Sequence, residues 1–521
     1  MEQRDKWATK IGLILAMAGN AIGLGNFWRF PYQAAKNGGG AFMIPYFVAL
    51  FLLGIPVMWI EWVEGRYGGK YGHGTLGPTF YLMARESLKP KMALIFGMIG
   101  GMLAFSVTSL LNGYYLHIVG WSAAYTYFSA TGAYFGKDSV EFLISYLGNN
   151  TQVFIFWGIS VALLGVAVGQ GVSKGIERWV KVMMPALYVA AILLVIRSLT
   201  LGSPVKPEWS SIKGFEFLWE PRFSEVTWQS ALAAAGQIFF TLSLGMGIIQ
   251  NYASYLGPED DVALSGLATV SLNEFAEVIL GGSIAIPIAF AYLGEEGITK
   301  SVGLAYIALP NVFMNMPAGQ LFGAVWFLLL WFAGFTSAIA MYNYLVALLE
   351  EDLKISRKTG SVMVFILYFL LGLPVVLDPT KKFLELYYLT ELDNWVGSYL
   401  LVVLGLFDII VAVWLFKPDN FWEELHKGAY IRIPEWIKPV IMYIAPIYTI
   451  ILLGGTTRAY IKEGYFKAVP GYVKLPEYAN WVWYARIVMF IILIIGAIEA
   501  YMAIKKKYGE ELEKNEVIIK L

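Results

Sequence analysis

A chain of 521 residues that is 58% hydrophobic and only 15% charged, with mean hydropathy +0.60, is not a soluble globule; soluble proteins carry about 25% charged residues. Its 38 basic residues balance 38 acidic ones, so no net field draws it to nucleic acid. It has no cysteine, which excludes disulfides and thiol chemistry.

Apolar runs of about 20 residues, the length that crosses a bilayer, recur along the whole chain and exclude a single anchor on a soluble domain. Twelve spans are predicted, over 11–34, 41–69, 92–127, 152–170, 176–200, 228–255, 262–292, 323–353, 359–377, 384–416, 435–460 and 479–504. The first run starts too soon, runs too long and lacks a small-residue cleavage site, so it does not read as a cleavable signal peptide. Lysines and arginines mark the inner side of a membrane protein. Arg4, Lys6 and Lys10 before span one, and Lys505 to Lys507 after span twelve, place both termini in the cytoplasm. Basic outer loops around Lys206 to Arg222 and Arg458 to Lys474 blur the rule without reversing it.

Span one is interrupted. Gly19-Asn20-Ala21-Ile22-Gly23-Leu24-Gly25-Asn26 puts three glycines and two asparagines mid-membrane. Each glycine costs about 1 kcal/mol against alanine in a helix. Freed backbone groups are tolerated at that depth only inside protein or around a cavity. Span six carries a second interruption, Phe239-Phe240-Thr241-Leu242-Ser243-Leu244-Gly245-Met246-Gly247. Two broken spans, five apart and of opposite direction, are the product of an inverted repeat of five spans. The chain divides into 1–200 (spans one to five), 201–417 (spans six to ten) and 418–521 (spans eleven, twelve and a tail).

Asn20, Asn26, Thr241, Ser243, Asn273, Thr336 and Ser337 lie within apolar spans. Each costs free energy unless it is hydrogen-bonded or ligates an ion. Serine and threonine can bond a carbonyl one turn back; asparagine does so less easily. Neutral oxygens suit an alkali cation better than calcium, which wants carboxylates. His73, His117 and His426 are scattered, and no nucleophile–base set occurs, so neither a transition-metal site nor an enzyme is expected. Two acids fall inside spans: Glu61, expected to bond freed amides of a break, and Glu277, expected to balance charge or carry a proton. Arg29 and Asp393 are a candidate closing pair at the outer side.

Trp7-Ala8-Thr9, the run Gly19 to Asn26, Asn37 to Phe42, Gly65 to Gly69, Gly171 to Arg178, Gln237 to Gly247 and Ala333 to Ser337 resemble the neurotransmitter:sodium symporter family. The likeness is strongest to its prokaryotic members, typified by the leucine transporter LeuT. It implies an all-α integral membrane protein of twelve transmembrane helices, a LeuT-like 5+5 inverted repeat with helices 1 and 6 broken. It implies two Na+ sites: one from Ala21, Asn26, Thr241 and Asn273 with the substrate carboxylate, the other from Gly19, Ile22, Ala333, Thr336 and Ser337. The shared carboxylate would link ion and substrate binding. The implied pocket comprises Asn20, Ala21, Gly25, Leu111, Tyr115, Phe240, Thr241, Ser243, Met246, Ser337 and Met341, with Tyr115 and Phe240 as its lid. Amine-transporting members carry aspartate where this chain has Gly23, so the expected ligand brings its own carboxylate. Met246 and Met341 either admit larger side chains or fill the same volume and leave a leucine-like preference. Glu277 stands where chloride-dependent members have serine, so no chloride is expected. The implied inner gate is Arg4 and Trp7 against Tyr255 and Glu351, with Asp352 as a second possible partner of Arg4.

The expectation is therefore a sodium-coupled symporter of hydrophobic L-amino acids in the cell membrane, working by alternating access. Spans one, two, six and seven would rock against three, four, eight and nine. The bilayer is its only expected macromolecular surrounding, and the sequence carries no indication of oligomeric state. A proton-coupled relative and a receptor that binds without transporting are the alternatives.

Overall fold

The structure, a computed structural model, describes residues 7–300 and 303–518. Arg4 lies outside the described residues.

Among the described residues, ten helices are long and apolar enough to cross a membrane, and one bent pair makes an eleventh span. In chain order, α1 is the pair Ile11–Ala21 and Gly25–Lys36, bent by 45°. It is followed by α2 (Gly40–Lys70), α3 (Pro90–Thr131), α4 (Asn150–Gly169) and α5 (Val172–Leu199). The sixth span comes in two pieces, α6a (Trp228–Thr241) and α6b (Ile248–Ala253), each too short to cross alone. Then come α7 (Val262–Glu295), α8 (Gly319–Glu351), α9 (Arg357–Leu377), α10 (Tyr387–Leu415), α11 (Glu435–Glu463) and α12 (Pro476–Lys514). These match the twelve predicted spans, and both breaks fall where the glycines are. Short helices at Leu76–Ala84, Ser139–Gly148, Ser211–Trp219 and Leu304–Asn315 fill connections that the hydropathy pattern left blank.

Burial is inverted relative to a soluble protein. Val182, Val189 and Leu193 on α5 and Phe490, Ile494 and Ile498 on α12 are exposed, as lipid-facing surfaces must be. Polar residues turn inward, where partners satisfy them. α3 packs on α8 and α4, and α4 on α9; α2 packs on α6a, α6b and α7. Small residues allow the close approaches: a Cβ on Gly120 would stand 2.8 Å from the Trp157 backbone of α4. The start of α1 is fastened to α5. Thr9 caps α1 by accepting from the Gly12 amide at 2.9 Å, and its hydroxyl donates to Glu177 Oε1 at 2.7 Å. The Ala8 amide donates to Glu177 Oε2 at 2.8 Å.

Both ends of the described chain lie at one end of the bundle, where Lys507 of α12 donates to the Tyr71 carbonyl at 2.6 Å. The two breaks meet near the middle, and their meeting point is the site.

Candidate functional site

At each break, side chains of other helices take over the freed backbone groups. In α1 the chain turns extended at Ile22 (φ −78°, ψ 95°). The Gly23 amide donates to Asn26 Oδ1 at 2.7 Å and the Leu24 amide to the Tyr115 hydroxyl of α3 at 3.1 Å. The Asn20 carbonyl accepts from Ser243 at 3.0 Å and from Ser337 of α8 at 2.9 Å. In α6 the chain is left-handed at Ser243 (φ 58°), Gly245 (φ 67°) and Gly247 (φ 78°). Glycine suits the last two without penalty. The Gly245 amide donates to Glu61 Oε1 at 2.7 Å, the bonding expected of that acid. A Cβ on Gly245 would run into the Leu401 carbonyl of α10. Gly245→Ala is therefore expected to cost about 2 kcal/mol or more, from strain at positive φ and the clash together, read as a lowered melting temperature of the detergent-purified protein. An unchanged melting curve would mean that the break does not hold this conformation.

One polar cluster joins α1, α6a and α7. Asn26 Nδ2 donates to Asn273 Oδ1 at 2.7 Å, and Asn273 Nδ2 to Thr241 Oγ1 at 3.3 Å. All three side chains are buried. Thr241 Oγ1 in turn donates to Glu277. Glu277 also accepts from the Tyr46 hydroxyl at 2.9 Å and Gln237 Nε2 at 3.1 Å. Tyr46 lies 2.8 Å from Glu274 as well. Tyr46 and Glu274 were absent from the expected set; a tyrosine in an apolar run carries no signal of its own, and Glu274 reads as a span-edge charge.

A second cluster joins α1 and α8. A Cβ on Gly19 would stand 3.3 Å from the Thr336 Cβ and 3.1 Å from the Met184 sulfur. Ser337 Oγ donates to the Gly19 carbonyl at 3.3 Å, and Thr336 Oγ1 to the Ala333 carbonyl at 3.1 Å. Ile22 is fully buried beside them in sequence.

Between the breaks lies a small cavity of about 20 Å³ lined by Ala21, Gly23, Gly25, Leu111, Tyr115, Phe240, Ser243, Met246, Ile248, Ser337 and Met341. Nine of the eleven expected pocket residues line it. Asn20 and Thr241 do not: Thr241 turns toward Asn273 and Glu277. The Asn20 amide is buried with neither its oxygen nor its nitrogen hydrogen-bonded. Ile248 lines the wall unforeseen; it is the first residue after the left-handed Gly247, a position that could have been read as facing the break. The cavity is uncharged. Its polar atoms gather around Gly23, where a Cβ would stand 2.6 Å from Ser337 Oγ and 3.0 Å from the Tyr115 hydroxyl.

The expected gates are reached only in part. Arg29 does not pair with Asp393. Its guanidinium stands 4.3 Å over the Phe240 ring, with Nη1 unpartnered, while Asp393 accepts from the Tyr114 hydroxyl at 2.7 Å. Arg29 thus covers Phe240 directly, while Asp393 is tied to α3 through Tyr114. At the opposite end, Trp7 Nε1 donates to the Tyr252 carbonyl at 3.3 Å, and its ring meets Tyr255 edge-on at 6.2 Å. Glu351 accepts from the Gly74 amide at 2.6 Å, and Asp352 from Thr75 at 3.0 Å, so both acids hold the loop after α2.

Comparison with known proteins agrees with this architecture. The model of the "Sodium:neurotransmitter symporter family" matches residues 4–137 and 139–507. A sodium-dependent transporter of Methanocaldococcus jannaschii is 33% identical over 469 residues, 85% of this chain and 89% of its own. The human sodium- and chloride-dependent taurine transporter is 26% identical over 511 residues, 85% of this chain and 77% of its own. The crystal structure of MhsT in complex with L-phenylalanine superposes with a TM-score of 0.75 at 28% identity, covering 87% of this chain and all of that one. The fold is that of LeuT-like transporters, the protein is a multi-pass membrane transporter rather than an enzyme, and the chain belongs to the sodium:neurotransmitter symporter family.

Proposed function

We propose that the chain is a sodium-coupled symporter of hydrophobic neutral amino acids, taking them from outside the cell to the cytoplasm, where both termini lie. One observation carries the substrate class: an uncharged cavity with hydrogen-bonding groups at one end and apolar groups at the other. The Tyr115 hydroxyl and Ser337, which crowd together over Gly23, suit a ligand carboxylate. Leu111, Met246, Ile248 and Met341 suit an apolar side chain. The L-phenylalanine bound by MhsT supports the same class.

Sodium occupies two places in this reading. Ala21, Asn26, Thr241 and Asn273 form the first with the substrate carboxylate; Gly19, Ile22, Ala333, Thr336 and Ser337 form the second. Neutral oxygens of buried side chains and freed carbonyls fit a singly charged ion. Tyr115 and Phe240 close over the substrate, with Arg29 and Asp393 beyond them. Trp7, Tyr255 and the loop held by Glu351 close the cytoplasmic side. Glu277 supplies the negative charge in its hydrogen-bonded cluster, so transport needs no chloride. Uptake unchanged when gluconate replaces chloride is the expected result; a strict need for chloride would overturn that role.

The deciding measurement is binding of labelled leucine and tryptophan to purified protein, in sodium and in potassium, followed by flux into proteoliposomes. Binding in sodium alone, with flux, is expected. Equal binding in potassium would refute the coupling, and binding without flux would make the protein a receptor. Methionine is unbranched and yields readily, so tryptophan is expected to bind within about tenfold of leucine. Met246→Phe is expected to lower tryptophan affinity more than leucine affinity.

A further inference from the structure

A second buried polar group lies outside the cavity, between α2, α6 and α10. Glu61 and Glu64 sit one turn apart on α2, and Asp408 faces them from α10; all three are fully buried. Glu64 and Asp408 are within hydrogen-bonding reach of each other. A carboxylate has no hydrogen to donate, so two carboxyl groups share a hydrogen bond only when one is protonated. The remaining bonds do not remove the difficulty. Glu61 takes the Gly245 amide with one oxygen, and Glu64 takes Gln250 Nε2 at 3.0 Å with one. Glu61 Oε2, Glu64 Oε1 and both Asp408 oxygens receive no donor, and neither does Oε1 of Gln250, itself 2% exposed.

Among the described residues, no lysine or arginine is paired with the three acids. Arg66, the next charged residue on α2, is engaged with Glu424 of the 418–426 helix at 3.0 Å. Glu274 of α7 is held by Tyr46. Tyr81, on the helix after α2, donates to Glu511, and Tyr344 of α8 accepts from the Leu76 amide at 3.5 Å. Three adjacent carboxylates at this depth are untenable as three anions.

We propose that Glu64 and Asp408, with Glu61 and Gln250, form a proton-binding site separate from Glu277. The bound species is a single exchangeable proton, carried as a carboxylic acid on one partner and bonded to the carboxylate of the other. Its coupling to movement rests on the alternating-access reading above. Glu61 and Glu64 are tied to α6 through Gly245 and Gln250, and α2 and α6 belong to the part that rocks, whereas α10 does not. When Glu64 leaves Asp408, the hydrogen bond breaks and the proton passes to water; when they rejoin, one returns.

The test is infrared spectroscopy of the full chain in lipid nanodiscs at neutral pH, in H2O and D2O. Glu64→Gln and Asp408→Asn keep a hydrogen-bond donor between the helices while removing the ionisable pair, and melting curves verify that each is folded. The expected result is a protonated-carboxyl stretching band that shifts in D2O, is lost in both variants and persists in Glu277→Gln. A band that survives in both variants overturns the proposal. So does its absence from the unmodified protein with a carboxylate band that responds to sodium against potassium, since the occupant is then an alkali ion. The band is read without substrate, so it stands or falls independently of leucine binding. If coupling holds, sodium-dependent leucine binding that changes with pH becomes flat in Glu64→Gln; an unaltered pH profile overturns the coupling.

Discussion

Gly23→Asp is expected to weaken binding of neutral amino acids by about a thousandfold. The new Cβ would stand 2.6 Å from Ser337 Oγ and 3.0 Å from the Tyr115 hydroxyl, the groups proposed to hold the ligand carboxylate. A side-chain carboxylate there meets the ligand's at close range. Two unit charges about 4 Å apart repel by roughly 4 kcal/mol at an effective dielectric of 20, about a thousandfold in affinity. Labelled leucine binding in sodium measures the loss. Gly23→Ala separates bulk from charge, and is expected to weaken binding less. If the aspartate variant binds leucine within about tenfold of the parent, the carboxylate does not sit there and the substrate assignment fails.

Asn26→Ala and Thr336→Ala are each expected to raise the sodium needed for half-maximal substrate binding. Each removes one side-chain oxygen from a proposed ion site, an interaction with a charge worth about 1.5–3 kcal/mol, or roughly 10–100-fold. The two should differ in range. Asn26 belongs to the site that shares the substrate carboxylate, so linkage lowers leucine affinity by the factor that sodium affinity loses. Thr336 now bonds its own helix, at 3.0 Å to the Phe332 carbonyl, so its removal should leave the melting temperature nearly unchanged. Asn26 holds both the Gly23 amide and Asn273, so its removal should lower it. Sodium titrations of leucine binding decide the matter. Unchanged sodium dependence in both variants would refute both ion sites.

Much of this protein was legible in its sequence because lipid leaves a chain few choices. A membrane denies water to the backbone, so every span must be a helix, and any glycine- and asparagine-rich interruption must be rescued by neighbouring side chains. That constraint alone located the breaks at Gly19 to Asn26 and at Phe239 to Gly247, and the turn to positive φ at Gly245 and Gly247 follows from the residue type. Asn26, Thr241 and Asn273 could be nominated one by one because polar groups at that depth need partners; which partners they have was not written in any one span.

Tertiary structure decided what depends on distance between spans. It took Thr241 and Asn20 off the cavity wall and put Ile248 on it, because the rotation of each half-helix at a break depends on how it packs. It set Arg29 over Phe240 and gave Asp393 to Tyr114, since a surface charge pair is weak enough for an aromatic face or a phenol to displace it. It also brought Asp408, more than 300 residues along the chain, against Glu61 and Glu64. In sequence these are three isolated acids in apolar runs. Only the packing of α10 on α2 makes them neighbours, and their burial with no lysine or arginine paired to them among the described residues is what motivates the proposed proton.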